Sequence, residues 1–170
     1  MLSAGFEAVA GANARVLVLG SLPGRFSLEM HQYYAQPRNA FWPIMGRLLC
    51  FEPQIPYARR IAALKKGRIA LWDVCASADR LGSLDSAIVD ATVRPNDIAE
   101  FLAKYRNITT VHFNGAKAAA LYANWVIPSL PSKLRTLEYA VLPSTSPAHA
   151  AMNFADKLRR WSRVRHASET

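Results

Sequence analysis

Four short apolar runs, each bounded by polar or turn-forming residues, recur along this chain. Their sequences are RVLVLG, RIALWDV, ITTVHFNG and TLEYAVLPS, at residues 15–20, 68–74, 108–115 and 136–144. Continuous apolar runs of this length are typical of strands that are buried on both faces of a sheet. We therefore predict four buried strands.

Helical periodicity fills the intervals between these strands. The predicted helices cover residues 40–50, 56–66, 95–105, 116–125 and 153–165. Strands that alternate with helices predict βαβ units and a parallel sheet covered on both faces. The sequence shows no internal repeat, low-complexity stretch or linker. We therefore expect residues 1–170 to form one domain of the α/β class, a three-layer sandwich with a short, mostly parallel, four-stranded central sheet flanked by helices.

The segments that leave the predicted strands are polar and rich in small residues. In open parallel sheets, ligands bind outside the carboxyl ends of the strands. Four segments should therefore converge on one cleft: GSLPGRFSLEMHQYYAQPRN, DVCASADRLGSLD, NGAKA and PSTSPAHAAMN.

The first segment begins with Gly-Ser-Leu-Pro-Gly, residues 20–24. Glycine and proline favour a tight turn whose backbone comes close to whatever occupies the cleft, although a purely structural turn would use the same residues. The segment matches neither the phosphate-binding pattern G-x-x-x-x-G-K-[ST] nor the dinucleotide pattern G-x-G-x-x-G. The sequence therefore gives no motif support to a nucleotide hydrolase or a dinucleotide-binding protein.

Asn39 lies in the aromatic stretch QYYAQPRNAFW and allows two interpretations. It stands where the N-cap of the helix at residues 40–50 belongs, and Pro43 suits the first turn of that helix. Alternatively, the amide belongs to a pocket for an unpaired base, because such a base needs aromatic faces to stack on and amides to read its edge. The nearby rings are either core or stacking groups.

Other polar residues near strand ends are equally open to two interpretations. Asn114 could read a base with its donor and acceptor or simply begin a turn before Gly115. Asp73 could orient a water or cap the following turn, and Asp85 has the pattern of a helix start. The loop LPSTSPAHA could contact a phosphate backbone, with His149 bonding a phosphate, or be only a connection.

Composition narrows the class of protein and partner. A hydrophobic fraction of 51% with 19% charged residues indicates a globular chain, and the net charge of +9 favours a polyanionic partner, nucleic acid above all. Part of that charge lies in KLRRWSRVRH, which could equally be the solvated face of a helix. Cys50 and Cys75 have no metal-site spacing, so free thiols are expected.

No apolar run reaches the roughly 18 residues that a membrane span needs. The N-terminal residues lack a basic region ahead of their apolar part, so we expect no signal peptide, no membrane partner and a cytoplasmic location. We also expect a monomer.

Five segments together resemble the uracil-DNA glycosylase superfamily, and most closely its DNA-deoxyinosine, or hypoxanthine-DNA, glycosylase branch. They are VLVLGSLPG, QYYAQPRNAFW, LWDVCASADRLGSLDSAI, HFNG and LPSTSPAHA, which follow the family's order across about residues 15–153. GSLPG stands where mismatch-specific relatives carry Gly-Ile-Asn-Pro-Gly, PRNAFW resembles their Asn-x-Phe-Trp stretch, and LPSTSPA stands at the loop that enters DNA.

One departure from the family pattern changes which residue is expected to act. Leu22 replaces the asparagine of the first motif, so the water-positioning role of that asparagine cannot be assigned to position 22. Asn39 matches the asparagine that is regarded as essential in the deoxyinosine branch. The resemblance therefore implies that Asn39 holds the water that attacks the sugar carbon.

The resemblance implies a monofunctional enzyme that hydrolyses the N-glycosidic bond of a deaminated base in DNA, without metal or cofactor. No lysine in the motifs is an obvious Schiff-base nucleophile. The implied base-binding residues are Gly20, Ser21, Leu22, Pro23, Gly24, Phe26, Tyr34 and Asn114, with the choice between Phe26 and Tyr34 as stacking ring left open. The implied DNA-binding residues are Arg38, Lys117, Ser144, Thr145, Ser146, Pro147, Ala148 and His149, and Asp73 is a second polar site.

Three alternatives compete with this hypothesis. The enzyme could prefer uracil, xanthine or mispaired thymine over hypoxanthine. Leu22 in the first motif favours a module that binds damaged DNA without cutting it. A small-molecule-binding α/β protein with incidental positive charge is the third.

Overall fold

The computed structural model describes residues 2–170, which form two β-sheets and six α-helices. The strands are β1 (Leu2–Ala4), β2 (Val16–Gly20), β3 (Ile69–Asp73), β4 (Cys75–Asp79), β5 (Arg94–Pro95), β6 (Thr110–Asn114) and β7 (Glu138–Leu142). The helices are α1 (Arg25–Met30), α2 (Phe41–Leu49), α3 (Tyr57–Lys66), α4 (Ile98–Lys104), α5 (Ala116–Trp125) and α6 (Phe154–Glu169).

The larger sheet contains the four predicted strands in the order β3-β2-β6-β7, and all three pairings are parallel. Gly20 at the end of β2 pairs with Asp73 at the end of β3, and Asn114 at the end of β6 pairs with Leu142. The prediction of a short parallel sheet flanked by helices is confirmed. The register brings the carboxyl ends of all four strands to one edge.

A separate hydrophobic core lies on each face of this sheet, because successive side chains of a strand point to opposite faces. Leu17 and Leu19 of β2 pack in a cluster that includes residues of α4 and α5. Val16 and Val18 pack in a second cluster that includes residues of α2, α3 and α6. The central strands are buried on both sides, which explains their uninterrupted apolar sequence.

Trp161 of α6 ties the second core to the loop that follows β7. Its side chain is fully buried, its ring packs edge-on against Phe41, and its indole N–H donates a 2.9 Å hydrogen bond to the carbonyl of Pro143. One side chain therefore contributes both to packing and to the position of a loop at the carboxyl edge of the sheet.

The smaller sheet was not predicted. It is antiparallel, with the order β1-β4-β5, and it joins the N-terminus to the segment after β3. Its strands have two to five residues with the sequences LSA, CASAD and RP, none of which forms an apolar run. The local pattern therefore carries no strand signal, and their pairing depends on tertiary contacts.

Helix boundaries also correct some of the predictions. The helix predicted from residue 95 begins at Ile98, because Arg94–Pro95 pairs as β5 and the Asp97 side chain accepts a hydrogen bond from the Glu100 N–H as an N-cap. The final helix extends to Glu169 instead of residue 165. Residues predicted as loop after Gly24 contain the short helix α1.

Replacing Trp161 with alanine should lower the free energy of unfolding by about 3–5 kcal/mol, since it removes a fully buried ring and leaves a cavity. Urea denaturation of the variant measures the loss. Trp125→Ala is the matched control, because that ring is 37% exposed on α5, and it should cost less than about 1 kcal/mol. Equal losses for the two variants would contradict this account of the second core.

Candidate active site

A cleft of about 730 Å³ opens at the carboxyl edge of the parallel sheet. The four segments predicted to converge all contribute to its wall, and so does every residue singled out from the sequence. From the first and second segments these are Gly20, Ser21, Leu22, Pro23, Gly24, Phe26, Tyr34, Arg38, Asn39 and Asp73, and from the third and fourth Asn114, Lys117, Ser144, Thr145, Ser146, Pro147, Ala148 and His149.

The residue at the end of β2 must be glycine. A Cβ atom on Gly20 would overlap the Asp73 carboxyl group and would lie 2.9 Å from the Tyr34 hydroxyl. Gly20 therefore allows two polar side chains to approach the backbone at the floor of the cleft.

Residues 20–24 form a loop, which we call the glycine loop, whose carbonyl groups are all occupied. The carbonyls of Gly20 and Ser21 accept from the N–H groups of Val74 and Cys75, and the Gly24 carbonyl accepts from Leu28 in α1. Those of Leu22 and Pro23 accept from Arg80, as described next. What this loop can offer to a ligand is therefore its N–H groups, which suit a group that carries negative charge.

Arg80 is a buried cation that holds the glycine loop, and it was not predicted from the sequence. Its side chain is 1% exposed and donates to the carbonyls of Leu22, at 3.2 Å, and of Pro23. Asp85 lies 3.9 Å from the Arg80 guanidinium and accepts a 2.6 Å hydrogen bond from the Ser21 hydroxyl. No local pattern distinguishes Arg80 from the surface arginines of this basic chain.

Asp85 has a larger role than the helix start that its sequence predicts. It does begin a short 3-10 turn, Asp85–Ala87, but its carboxylate also lines the cleft and anchors Ser21. Burial raises its pKa, which the hydrogen bond from Ser21 and the charge of Arg80 oppose.

Asp73 is a buried carboxyl group at the end of β3. The residue is 3% exposed, and its Oδ2 atom has no hydrogen-bond partner. Burial, together with the nearby charge of Asp85, raises the pKa of Asp73 to about 8, although Arg80 opposes the shift. Near neutral pH the group is therefore mostly protonated and can donate a hydrogen bond.

Of the two alternatives for Asp73, the structure does not show the one in which it caps the following turn. The next two N–H groups, of Val74 and Cys75, donate to the glycine loop instead. Asp73 therefore presents its carboxyl group to the cleft while its backbone carbonyl accepts from the Asn96 side chain at 2.9 Å.

The N-cap residue of α2 is Ala40, so the prediction that Asn39 occupies this position is wrong by one residue, but the Asn39 side chain still binds the first N–H of the helix and lines the cleft. Its Oδ1 atom accepts a 2.9 Å hydrogen bond from the N–H of Phe41, the first residue of α2. The next residue, Ala40, donates its N–H to the Thr145 carbonyl at 2.9 Å, which ties this stretch to the loop after β7. The bond to Phe41 fixes the amide plane, and the NH₂ group and the second lone pair of Oδ1 remain to bind something in the cleft.

The two aromatic candidates differ in how much of the ring is free. Tyr34 stacks on Phe41 with ring centroids 4.2 Å apart, and its buried hydroxyl lies beside the Asn114 side chain. Burial and the charge of Asp73 raise the pKa of Tyr34. Phe26 on α1 is 42% exposed and lines the same cleft. A free aromatic face is therefore offered by Phe26.

Asn114 and Thr145 bind each other reciprocally. The Asn114 NH₂ group donates to the Thr145 hydroxyl at 2.8 Å, and its oxygen accepts from the Thr145 N–H at 2.9 Å. Both residues are buried, at 7% and 1% exposure. Asn114 therefore holds the loop after β7 in place, with one donor and one acceptor site of its amide still to be used.

The remaining DNA-binding candidates lie at the mouth of the cleft. Lys117 forms a 2.7 Å ion pair with Asp90, whereas Arg38 is exposed. In the loop after β7, the hydroxyls of Ser144 and Ser146 accept from backbone N–H groups of that same loop, and the His149 carbonyl accepts from Lys157. These serines therefore shape the loop.

Residues 2–170 contain neither a metal-binding cluster nor a membrane-spanning helix. No group of three or more His, Cys, Asp or Glu side chains in this range is arranged to hold a metal ion. No helix in the same range is both long and apolar enough to cross a membrane.

Comparison with known proteins identifies relatives over most of the chain. The model of the uracil DNA glycosylase superfamily matches residues 7–165. A hypoxanthine DNA glycosylase of Methanosarcina acetivorans is 36% identical over 152 residues, which cover 88% of this chain and 89% of the relative. One from Methanosarcina barkeri is 40% identical over 119 residues, covering 69% and 74% of the two chains.

The fold also has a solved counterpart. A solution NMR structure of a candidate uracil DNA glycosylase from Methanosarcina acetivorans matches with a TM-score of 0.82 and 32% identity, over 100% of both chains.

The raised pKa of Asp73 predicts a pH-dependent difference between the wild type and Asp73→Asn. In the unfolded chain this carboxyl ionises near pH 4, as model peptides do, whereas in the fold its pKa is about 8. The folded state therefore holds a proton that the unfolded state releases, and this contribution to wild-type stability is lost as the pH rises from about 4 through 8. Urea titrations should therefore show the unfolding free energy of Asp73→Asn increasing relative to that of the wild type as the pH rises across this range. A constant difference between the two proteins would contradict the assigned pKa.

Proposed function

The chain belongs to the uracil DNA glycosylase superfamily, and we propose that it excises hypoxanthine from DNA. It is a DNA glycosylase, a hydrolase that cleaves the N-glycosidic bond between a base and deoxyribose and leaves an abasic site for base excision repair. Two relatives at 36% and 40% identity that are named hypoxanthine DNA glycosylases support the choice of base. The observation that carries the proposal is the position of the Asn39 amide in the wall of a cleft that also holds Asp73 and the glycine loop.

The base must leave the duplex before it can reach these groups. Enzymes that act on a base extrude it into a pocket, and a mispaired base costs least to extrude. A cleft of about 730 Å³ with the free face of Phe26 at its wall can receive one purine. We assign Phe26 as the stacking ring, because the Tyr34 ring already stacks on Phe41.

Asn39 acts by position and polarity. An amide does not titrate in the useful range, so it is not a general base. The bond from the Phe41 N–H fixes its plane, so the remaining amide groups can hold a water in line with the sugar carbon. The same dipole can stabilise the oxocarbenium-like charge that develops as the bond breaks.

The glycine loop and Asp73 receive the leaving base. As the glycosidic bond breaks, negative charge develops on the ring system of the base. The N–H groups of Ser21, Leu22 and Gly24 suit that charge because the carbonyls of this loop bind other partners. Asp73, which is mostly protonated near neutral pH, can donate to an acceptor atom of the base.

The substrate strand is held by charge and by the loop after β7. The net charge of +9 attracts the phosphate backbone, and Arg38 at the mouth of the cleft is exposed. Lys117 is the only lysine among residues 2–170 that lines the cleft, and its amine is engaged in a 2.7 Å ion pair with Asp90. This supports hydrolysis without strand cleavage. We propose that the enzyme acts as a monomer in the cytoplasm.

Asn39→Ala should lower the single-turnover rate of hypoxanthine excision by about 100- to 1000-fold, the range found when one preorganised polar group of an active site is removed. Affinity for the inosine-containing duplex should change little, since the phosphate contacts remain. A gel assay of abasic-site cleavage and fluorescence anisotropy measure the two quantities.

Asn39→Ser separates catalysis from capping, because serine retains an oxygen that can accept from the helix N-terminus. It should unfold within about 1 kcal/mol of the wild type and still lose activity. Asn124→Ala, an exposed position on α5, is the matched control and should keep full activity. Wild-type turnover in Asn39→Ala would exclude the assigned role.

A panel of duplexes that each carry one lesion tests the choice of base. We expect hypoxanthine to be released faster than uracil, xanthine or thymine opposite guanine, because the related glycosylases of known name are hypoxanthine enzymes. Faster release of another base would show that hypoxanthine is not the preferred substrate, whereas the assignment as a DNA glycosylase would stand. Tight, lesion-specific binding without any abasic product would instead favour a module that only recognises damaged DNA.

A further inference from the structure

Two exposed leucines project from a turn at the rim of the cleft. The turn, which we call the rim turn, consists of residues 81–84, Leu-Gly-Ser-Leu. Leu81 is 85% exposed and Leu84 is 56% exposed, and Leu84 also lines the cleft. Leaving two leucines in water at such a turn forgoes the free energy that burying them would provide.

Hydrogen bonds fix the residues on either side of the rim turn, whereas residues 81–84 themselves are exposed to solvent. It is flanked by Arg80 and Asp85, the two residues that bind the glycine loop. The Ser83 hydroxyl accepts a 3.0 Å hydrogen bond from the Arg25 N–H at the start of α1. Gly82 has a φ of +78°, and nothing lies within 4 Å of where its Cβ would be. The turn is therefore attached to the wall that receives the base, and its leucines point into open space.

The loop after β7 carries no leucine between residues 144 and 149, and its largest apolar residue there is Pro147. Its residues 144–149 are Ser, Thr, Ser, Pro, Ala and His. Thr145 is buried against Asn114, and the two serine hydroxyls accept hydrogen bonds from the loop itself. Proteins that extrude a base or kink the duplex commonly insert a large apolar side chain, such as leucine, into the stack. In this chain such side chains stand on the rim turn.

We infer that Leu81 and Leu84 form a wedge that enters the base stack of duplex DNA beside the extruded nucleotide. The inference rests on the proposed glycosylase function and adds a surface that holds the duplex open. The net charge of +9 favours DNA over an apolar protein partner as the occupant of this surface. Because Arg80 and Asp85 join the rim turn to the glycine loop, the wedge keeps a fixed distance from the base pocket.

The experiment compares excision from duplex DNA with excision from single-stranded DNA. A wedge is needed only where there is a stack to open, so Leu81→Ala and Leu84→Ala should each lower the duplex rate relative to the single-strand rate by about tenfold, as expected when the burial of one leucine is lost. Both rates are measured in single-turnover assays with the same inosine-containing strand. Val141→Ala, at a 56% exposed position on β7 outside the cleft, should leave the ratio unchanged.

A second measurement tests the wedge without any chemistry. Anisotropy titrations compare a duplex that carries a tetrahydrofuran abasic analogue with an intact duplex, and the leucine variants should lose most of the wild-type preference for the gap. If the wild type releases no hypoxanthine, the proposed substrate is wrong, yet this binding comparison still decides the wedge. Equal losses on single and double strands, unchanged ratios, or a variant-dependent change in molecular mass on size exclusion would each overturn the inference, the last by identifying a second copy of this chain as the occupant.

Discussion

Parallel pairing of β2 between β3 and β6 is the constraint on which the rest of the molecule depends. It places Gly20, Asp73 and Asn114 at one edge of the sheet, because parallel strands end on the same side. It also requires helical crossovers, which cover both faces and create the two hydrophobic cores. The cleft is thus a consequence of strand direction, and side chains from distant parts of the sequence meet there without any local signal for that meeting.

Burial of charge at this edge has two effects that support each other. Arg80 loses nearly all contact with water, a cost that the carbonyls of Leu22 and Pro23 and the carboxylate of Asp85 offset. Because these carbonyls bind Arg80, they do not point into the cleft. Burial and the charge of Asp85 raise the pKa of Asp73 to about 8, so its carboxyl group can donate a hydrogen bond near neutral pH, as its proposed role toward the leaving base requires.

Asn39 shows how one side chain can serve the fold and the site together. Its oxygen caps the first residue of α2, while the neighbouring Ala40 N–H ties the same stretch to the loop after β7. Capping and binding are compatible because an amide has two donor hydrogens and two acceptor lone pairs. The rigidity that the cap provides is what a residue that acts by position requires.

The sequence by itself determined the four parallel strands, most of the helices and the four segments that line the cleft, because apolar periodicity and turn residues are local signals. It left open whether Asn39 is an N-cap or a binding residue; the structure places the N-cap at Ala40, and the Asn39 side chain binds the Phe41 N–H from the cleft wall. It also left open Phe26 or Tyr34 as the stacking ring, and the packing of Tyr34 on Phe41 supports the proposal of Phe26. The antiparallel sheet, the Arg80 clamp and the second role of Asp85 required the tertiary structure. The Arg80 and Asp85 contacts join residues 57 to 64 positions apart, across a segment whose short strands have no apolar pattern of their own.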